Sequence, residues 1–147
     1  MWKLKIKPAF TLIEVICSIA IFSLLFTSAL TIELNAIRLR RYNFKLYQHS
    51  ILMETVKNNL IGNSSYDELK SLYNNNKFYI NKEFLSNNKL KALKIVDVTS
   101  EALASNELYV KLNITDGAVI KVNIEFHGYI NNKENIINTA IYKGNYQ

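Results

Sequence analysis

Residues Phe10 to Ile32 read FTLIEVICSIAIFSLLFTSALTI, 23 residues with one charge, Glu14. As a helix rising about 1.5 Å per residue the run spans roughly 34 Å, enough to cross a bilayer core of about 30 Å. Beyond it, Leu34, Ile37, Leu39, Phe44, Tyr47, Ile51, Leu52, Val56 and Leu60 recur at mostly helical spacing, and no Pro or Gly interrupts residues 10–61. The pattern predicts one helix of 52 residues, closed by Gly62 as its C-terminal cap. Residues 10–37 are apolar all round and suit lipid or a helix bundle. Residues 38–62 are amphipathic, so their apolar stripe needs a cover.

Glu14 is the informative residue of the run. A carboxylate in a membrane helix costs about 2.5 kcal/mol or more at the centre and less near the interface, so such a group has a partner or snorkels to the headgroups. The basic flanks do not orient the span: Lys3, Lys5, Lys7 and the α-amine precede it, and Arg38, Arg40, Arg41 and Lys45 follow. A conventional cleaved signal peptide would use Thr27-Ser28-Ala29 and leave a chain starting near Leu30. The glutamate inside the apolar region and the length of the run argue against it.

Lys7-Pro8-Ala9-Phe10-Thr11-Leu12-Ile13-Glu14-Val15 resembles the class III signal of type IV prepilins, in which a short basic leader is cut before a phenylalanine. The resemblance implies a leader at 1–9, cleavage between Ala9 and Phe10 next to Pro8, and N-methylation of Phe10. It also implies that Glu14, at the fifth mature position, neutralises the N-terminal amine of an adjacent subunit. Two buried opposite charges are tolerable when paired, and pairing between subunits would set the axial stagger of a filament. The family usually has Gly before the cut where this chain has Ala9, which is small enough for the same protease pocket. Many major pilins resemble one another in a helix-weakening Gly and Pro; the matching positions here are Ser23 and Thr31, and neither breaks a helix. That favours a minor pilin or pseudopilin.

Downstream, residues 63–147 read as one α+β domain. Asn63-Ser64-Ser65 is a loop, and Ser65 with Glu68 forms a capping-box pattern for a short helix, 66–74. A short strand near Phe78–Ile80 is expected, then strands at Leu93–Thr99 and Ile136–Tyr142, with loops at Ser100–Asn106 and Gly128–Asn135. Between them Leu108, Val110, Leu112 and Ile114 alternate with polar residues, as do Ile120, Val122, Ile124 and Phe126, which gives an antiparallel hairpin. A two-residue Asp116-Gly117 turn would set Leu112 opposite Lys121. A three-residue loop, Thr115-Asp116-Gly117, sets Leu112 opposite Ile120, with Gly117 in the left-handed position of a bulge. The expected architecture is α+β: the long helix packed on a small antiparallel sheet of about four strands, with one open edge as a docking site for another subunit.

No catalytic constellation emerges. His49 and His127 are far apart, His127 reads as a strand-end surface residue, and Cys17 fills a lipid- or helix-facing position. No zinc spacing, Walker loop, GxGxxG or GxSxG occurs. The expectation is no enzyme, no metal and no cofactor. The net charge of +6 falls to +3 once the three leader lysines are removed, a mild surplus. Lys77, Lys82, Lys89, Lys91 and Lys94 make residues 77–94 basic. If the filament takes up DNA they could contact phosphate; a solvated loop face is the plainer reading.

The function expected is a structural subunit of a type IV pilus, competence or type II secretion-like filament. Its partners are membrane lipid and other pilin-like subunits. By resemblance a prepilin peptidase, a platform protein and an assembly ATPase join them. The implied location is the cell membrane, crossed once with the N-terminus cytoplasmic, then a surface filament. The alternative is a single-pass membrane protein with an extracytoplasmic binding domain.

Overall fold

The computed structural model describes residues 11–105 and 107–145, with the side chains of Asn87 and Lys91 set aside. In chain order the elements are α1 (Leu12–Asn63), α2 (Tyr66–Asn74), β1 (Tyr79–Asn81), a one-turn 3-10 helix (Lys82–Phe84), α3 (Asn87–Ala92), α4 (Ile95–Val98), β2 (Thr99–Ser100), β3 (Tyr109–Thr115), β4 (Val119–Ile130) and β5 (Lys133–Gly144). The chain divides into two compact units, residues 1–41 and 42–147.

In the first unit α1 carries no core. Leu12 is 77% exposed and Phe22 68%, and Leu24, Leu25 and Ile32 are equally open. The helix runs unbroken through Ser23 and Thr31. The hydroxyls of Ser18, Thr27, Ser28 and Thr31 donate to carbonyls three or four residues back, at 2.7–3.0 Å. Such back-bonding keeps polar atoms satisfied inside the helix, as hydrocarbon surroundings demand.

The second unit is α+β, with the C-terminal part of α1 packed on a five-stranded antiparallel sheet of order β2-β1-β3-β4-β5. Met53, Val56 and Leu60 of α1 meet Val110, Leu112, Ile114, Ile120, Val122, Ile124 and Phe126 of the sheet, with Leu69 and Leu72 of α2 closing one side. Fully burying each such aliphatic or aromatic side chain stabilises the fold by about 1.5–3 kcal/mol. The expected stripe is only partly used. Its earlier members Leu34, Leu39, Phe44 and Tyr47 stay exposed.

Helix α2 occupies the predicted span, and its capping box is formed: the Ser65 hydroxyl accepts from Glu68 N, and the Glu68 carboxylate accepts from Ser65 N. Gly62, in contrast, is not a left-handed cap, because no glycine has positive φ and α1 continues to Asn63. Lys143, reaching from β5, donates to the Ile61 carbonyl at 2.9 Å and satisfies part of that helix end.

Three strand expectations need correction. The Leu93–Thr99 segment is not a strand: it forms the single turn α4, and only Thr99 and Ser100 pair, with β1. Its β-branched residues favour a strand locally, but buried Asn59 of α1 holds the backbone otherwise. The Asn59 amide donates to Leu90 O at 2.7 Å and Leu93 O at 2.9 Å, and its oxygen accepts from Ile95 N at 3.3 Å.

The β3–β4 register is also shifted. Leu112 lies opposite Ile124, Val110 opposite Phe126 and Ile114 opposite Val122. The parity is as expected, but the loop beyond the last pair, Thr115 and Lys121, holds five residues, so Gly117 makes no bulge. The longer loop keeps Ile114 in the buried ladder. Helix α2 holds it: the Tyr66 hydroxyl donates to Gly117 O at 2.8 Å, and Lys70 faces Asp116 at 3.9 Å.

Finally, Gly128–Asn135 is not a loop. Strand β4 runs to Ile130 and β5 begins at Lys133, joined by Asn131-Asn132 with φ of 53° and 61°. Asparagine tolerates the left-handed region, which a two-residue hairpin turn requires at both positions. The sheet has five strands, in keeping with the small antiparallel sheet expected. Gly128 lets α1 approach, since a Cβ there would lie 2.8 Å from His49 Cε1.

Candidate functional site

The candidate assembly site begins where α1 does. Thr11 precedes the first helical residue, and its N–H and hydroxyl both donate to Glu14 Oε2, at 2.7 and 2.8 Å. Glu14 N in turn donates to Thr11 Oγ1 at 3.4 Å. This is the reciprocal pattern of a capping box, T-x-x-E, and it fixes the carboxylate over the helix N-terminus. The sequence carried that signal in Thr11, which the reading of Glu14 alone passed over. The box holds the Glu14 carboxylate at the N-terminal end of the helix. Pro8, Ala9 and Phe10 lie outside the described residues.

The helix behind the site is long and apolar enough to cross a membrane, and none of its apolar stretch is buried within the chain. Residues 6–30 match the family model described as the prokaryotic N-terminal methylation motif. The chain carries a type IV pilin-like prepilin signature. No curated protein and no solved structure matches the chain. The prepilin motif implies processing by a peptidase and assembly with other pilin-like subunits, and with the apolar helix it is consistent with membrane anchoring.

Of the lysines of residues 77–94, two face carboxylates. Lys82 pairs with Glu107, Lys94 with Glu68 at 3.1 Å, and Lys89 donates to Glu83 O at 2.9 Å. Lys77 is half-buried. The side chain of Lys91 is outside the description.

The two histidines are both more engaged than the sequence suggested. His127 is not a strand-end surface residue: it sits within the β3–β4–β5 ladder with a side chain only 12% exposed. Its ring stacks on Tyr109 at 4.5 Å, and Nδ1 lies 2.9 Å from Glu134 Oε1 while Nε2 lies 3.6 Å from Glu125 Oε2. His49 packs on Phe126 at 5.1 Å, and its Nδ1 is buried without a hydrogen-bond partner among the described residues. Burial pushes its pKa down, and Lys45 adds to the shift.

An open cleft of about 690 Å³ is lined by His49, Lys82, Glu107, Leu108, Tyr129 and Asn132. Its described lining offers an ion pair and a phenol. Among the described residues no three of His, Cys, Asp and Glu are grouped to hold a metal ion.

Proposed function

We propose that this chain is a structural subunit of a pilin-like filament, in the manner of a minor pilin or pseudopilin. Cleavage between Ala9 and Phe10 by a prepilin peptidase leaves an N-terminal ammonium on Phe10, which is then methylated. Residues 10–37 hold the subunit in the membrane and later pack with neighbouring helices in the filament core. Glu14 pairs with the Phe10 ammonium of an adjacent subunit and sets the stagger. The globular part decorates the filament.

One observation carries the reading. The prepilin motif lies on a helix whose apolar N-terminal stretch is not buried among the described residues, while the one acid of that stretch, Glu14, is held at its N-terminal end. Hydrophobic exposure on this scale calls for lipid or other helices. A platform protein and an assembly ATPase are the further partners that the family resemblance implies. The role is structural rather than enzymatic. A competence filament would add DNA as a partner, with Lys77, Lys82, Lys89, Lys91 and Lys94 as the residues to test.

Glu14→Val tests the proposal. Membrane insertion should persist, because the substitution only makes the span more apolar. Incorporation into filaments should fall at least about tenfold, since an unpaired buried charge costs about 3–5 kcal/mol. Normal incorporation would remove the intersubunit pair from the account. A single-pass protein with an external binding domain would show no dependence on Glu14.

A further inference from the structure

Where the apolar run of α1 ends, Arg38, Arg40 and Arg41 follow. All three are exposed, and among the described residues none of them meets a carboxylate. The acid of α1 nearest to them is Glu33, and it stands three or four residues from none of them, the spacings at which helical side chains pair. At the helical pitch Arg41 is turned about 60° from Arg38, and Arg40 about 100° further. The guanidiniums therefore spread over nearly half the circumference instead of lining one stripe. Leu34, Ile37 and Leu39 lie among them and are exposed as well.

Cations interleaved with exposed apolar side chains suit the boundary between headgroups and acyl chains. There the aliphatic groups enter the hydrocarbon while the guanidiniums stay at the phosphates. A soluble polyanion would match the charge but leave Leu34, Ile37 and Leu39 in water. The depth agrees. Arg38 comes 24 residues after Glu14, roughly 36 Å along the helix, and a bilayer core is about 30 Å thick. With Glu14 in one headgroup layer, Arg38 enters the other. We propose that Arg38, Arg40 and Arg41 form a binding surface for anionic phospholipid headgroups, which sets the depth of α1 in the bilayer. A guanidinium meets phosphate oxygens in a two-pronged fork and holds its charge throughout the physiological pH range. An anionic headgroup carries a net charge that a zwitterionic one lacks, so the surface selects between them. The inference rests on the membrane reading of α1 and adds the lipid class. It does not depend on pairing by Glu14 or on cleavage before Phe10.

The test uses the full chain in phosphatidylcholine vesicles with a trace of spin-labelled lipid. The fraction of label immobilised at the protein gives its relative affinity for phosphatidylglycerol over phosphatidylcholine, and resistance to alkaline extraction reports insertion. Arg38→Gln, Arg40→Gln and Arg41→Gln together should lower that ratio about fivefold, the gain from one basic residue beside an anionic surface, with insertion unchanged. Lys111→Gln, Lys121→Gln and Lys133→Gln together remove the same charge from the sheet and should leave the ratio as in the native chain. Raising salt from about 0.05 M to about 0.5 M should weaken the preference of the native chain, because it screens the attraction. An inserted arginine variant with the native ratio, or an equal fall in the lysine variant, overturns the proposal and leaves the membrane reading standing. Extraction of the native chain by alkali overturns both. An oligonucleotide that binds the native chain in neutral vesicles but not the arginine variant would give these residues to nucleic acid, and the lipid assignment would fall.

Discussion

Asn59 shows how one side chain fixes a segment far from it in sequence. It is 5% exposed and carries three hydrogen bonds that hold residues 90–95 against α1. Asn59→Leu would keep the branched outline of the side chain and orphan two carbonyls and an N–H. Each orphaned buried group costs about 1–3 kcal/mol, so the variant should lose at least about 2 kcal/mol in denaturant unfolding. The sequence held a hint, since a polar residue lies beside Val56 and Leu60 on the buried face, but not which backbone it serves. His49 gives a pH dependence. Its folded pKa is below the ordinary value of about 6.5, so the unfolded chain binds the proton more readily. Stability from this group is present above that value and lost as pH falls below it. Denaturation midpoints at about pH 7.5 and 5.5 should differ more in the native chain than in His49→Gln, with the lower midpoint in acid.

At the scale of elements, legibility followed how local the determinants were. Helix α2 was readable because Ser65 and Glu68 lie within one turn and cap each other. Ser65→Ala should therefore cost about 0.5–2 kcal/mol, measurable in the unfolding midpoint, whereas Ser65→Asp should keep most of the stability. The alternation in β3 and β4 was readable for a similar reason, as parity is written in the residues themselves. The register was not, because it is set by α2 gripping the loop at Gly117 and Asp116. The Asn131-Asn132 turn went unread because asparagine pairs signal a hairpin less plainly than Asn-Gly does. Strand propensity at Leu93–Thr99 yielded to the tertiary grip of Asn59.

On the scale of the whole molecule the two units place different demands on their surroundings. Residues 42–147 bury their own core, while the apolar residues of α1 in the first unit are left for lipid or for other helices. The methylation motif was legible as FTLIE after a short basic stretch. Its local geometry, the Thr11–Glu14 box, was not drawn from it. The central claim is that Phe10 becomes the first residue and its amine meets the Glu14 of a neighbour. The mass of the N-terminal peptide, from chain purified out of cells with an active prepilin peptidase, tests this most directly. The account predicts a peptide that begins with N-methylated Phe10. A peptide that retains Met1, or one that begins near Leu30, would contradict it.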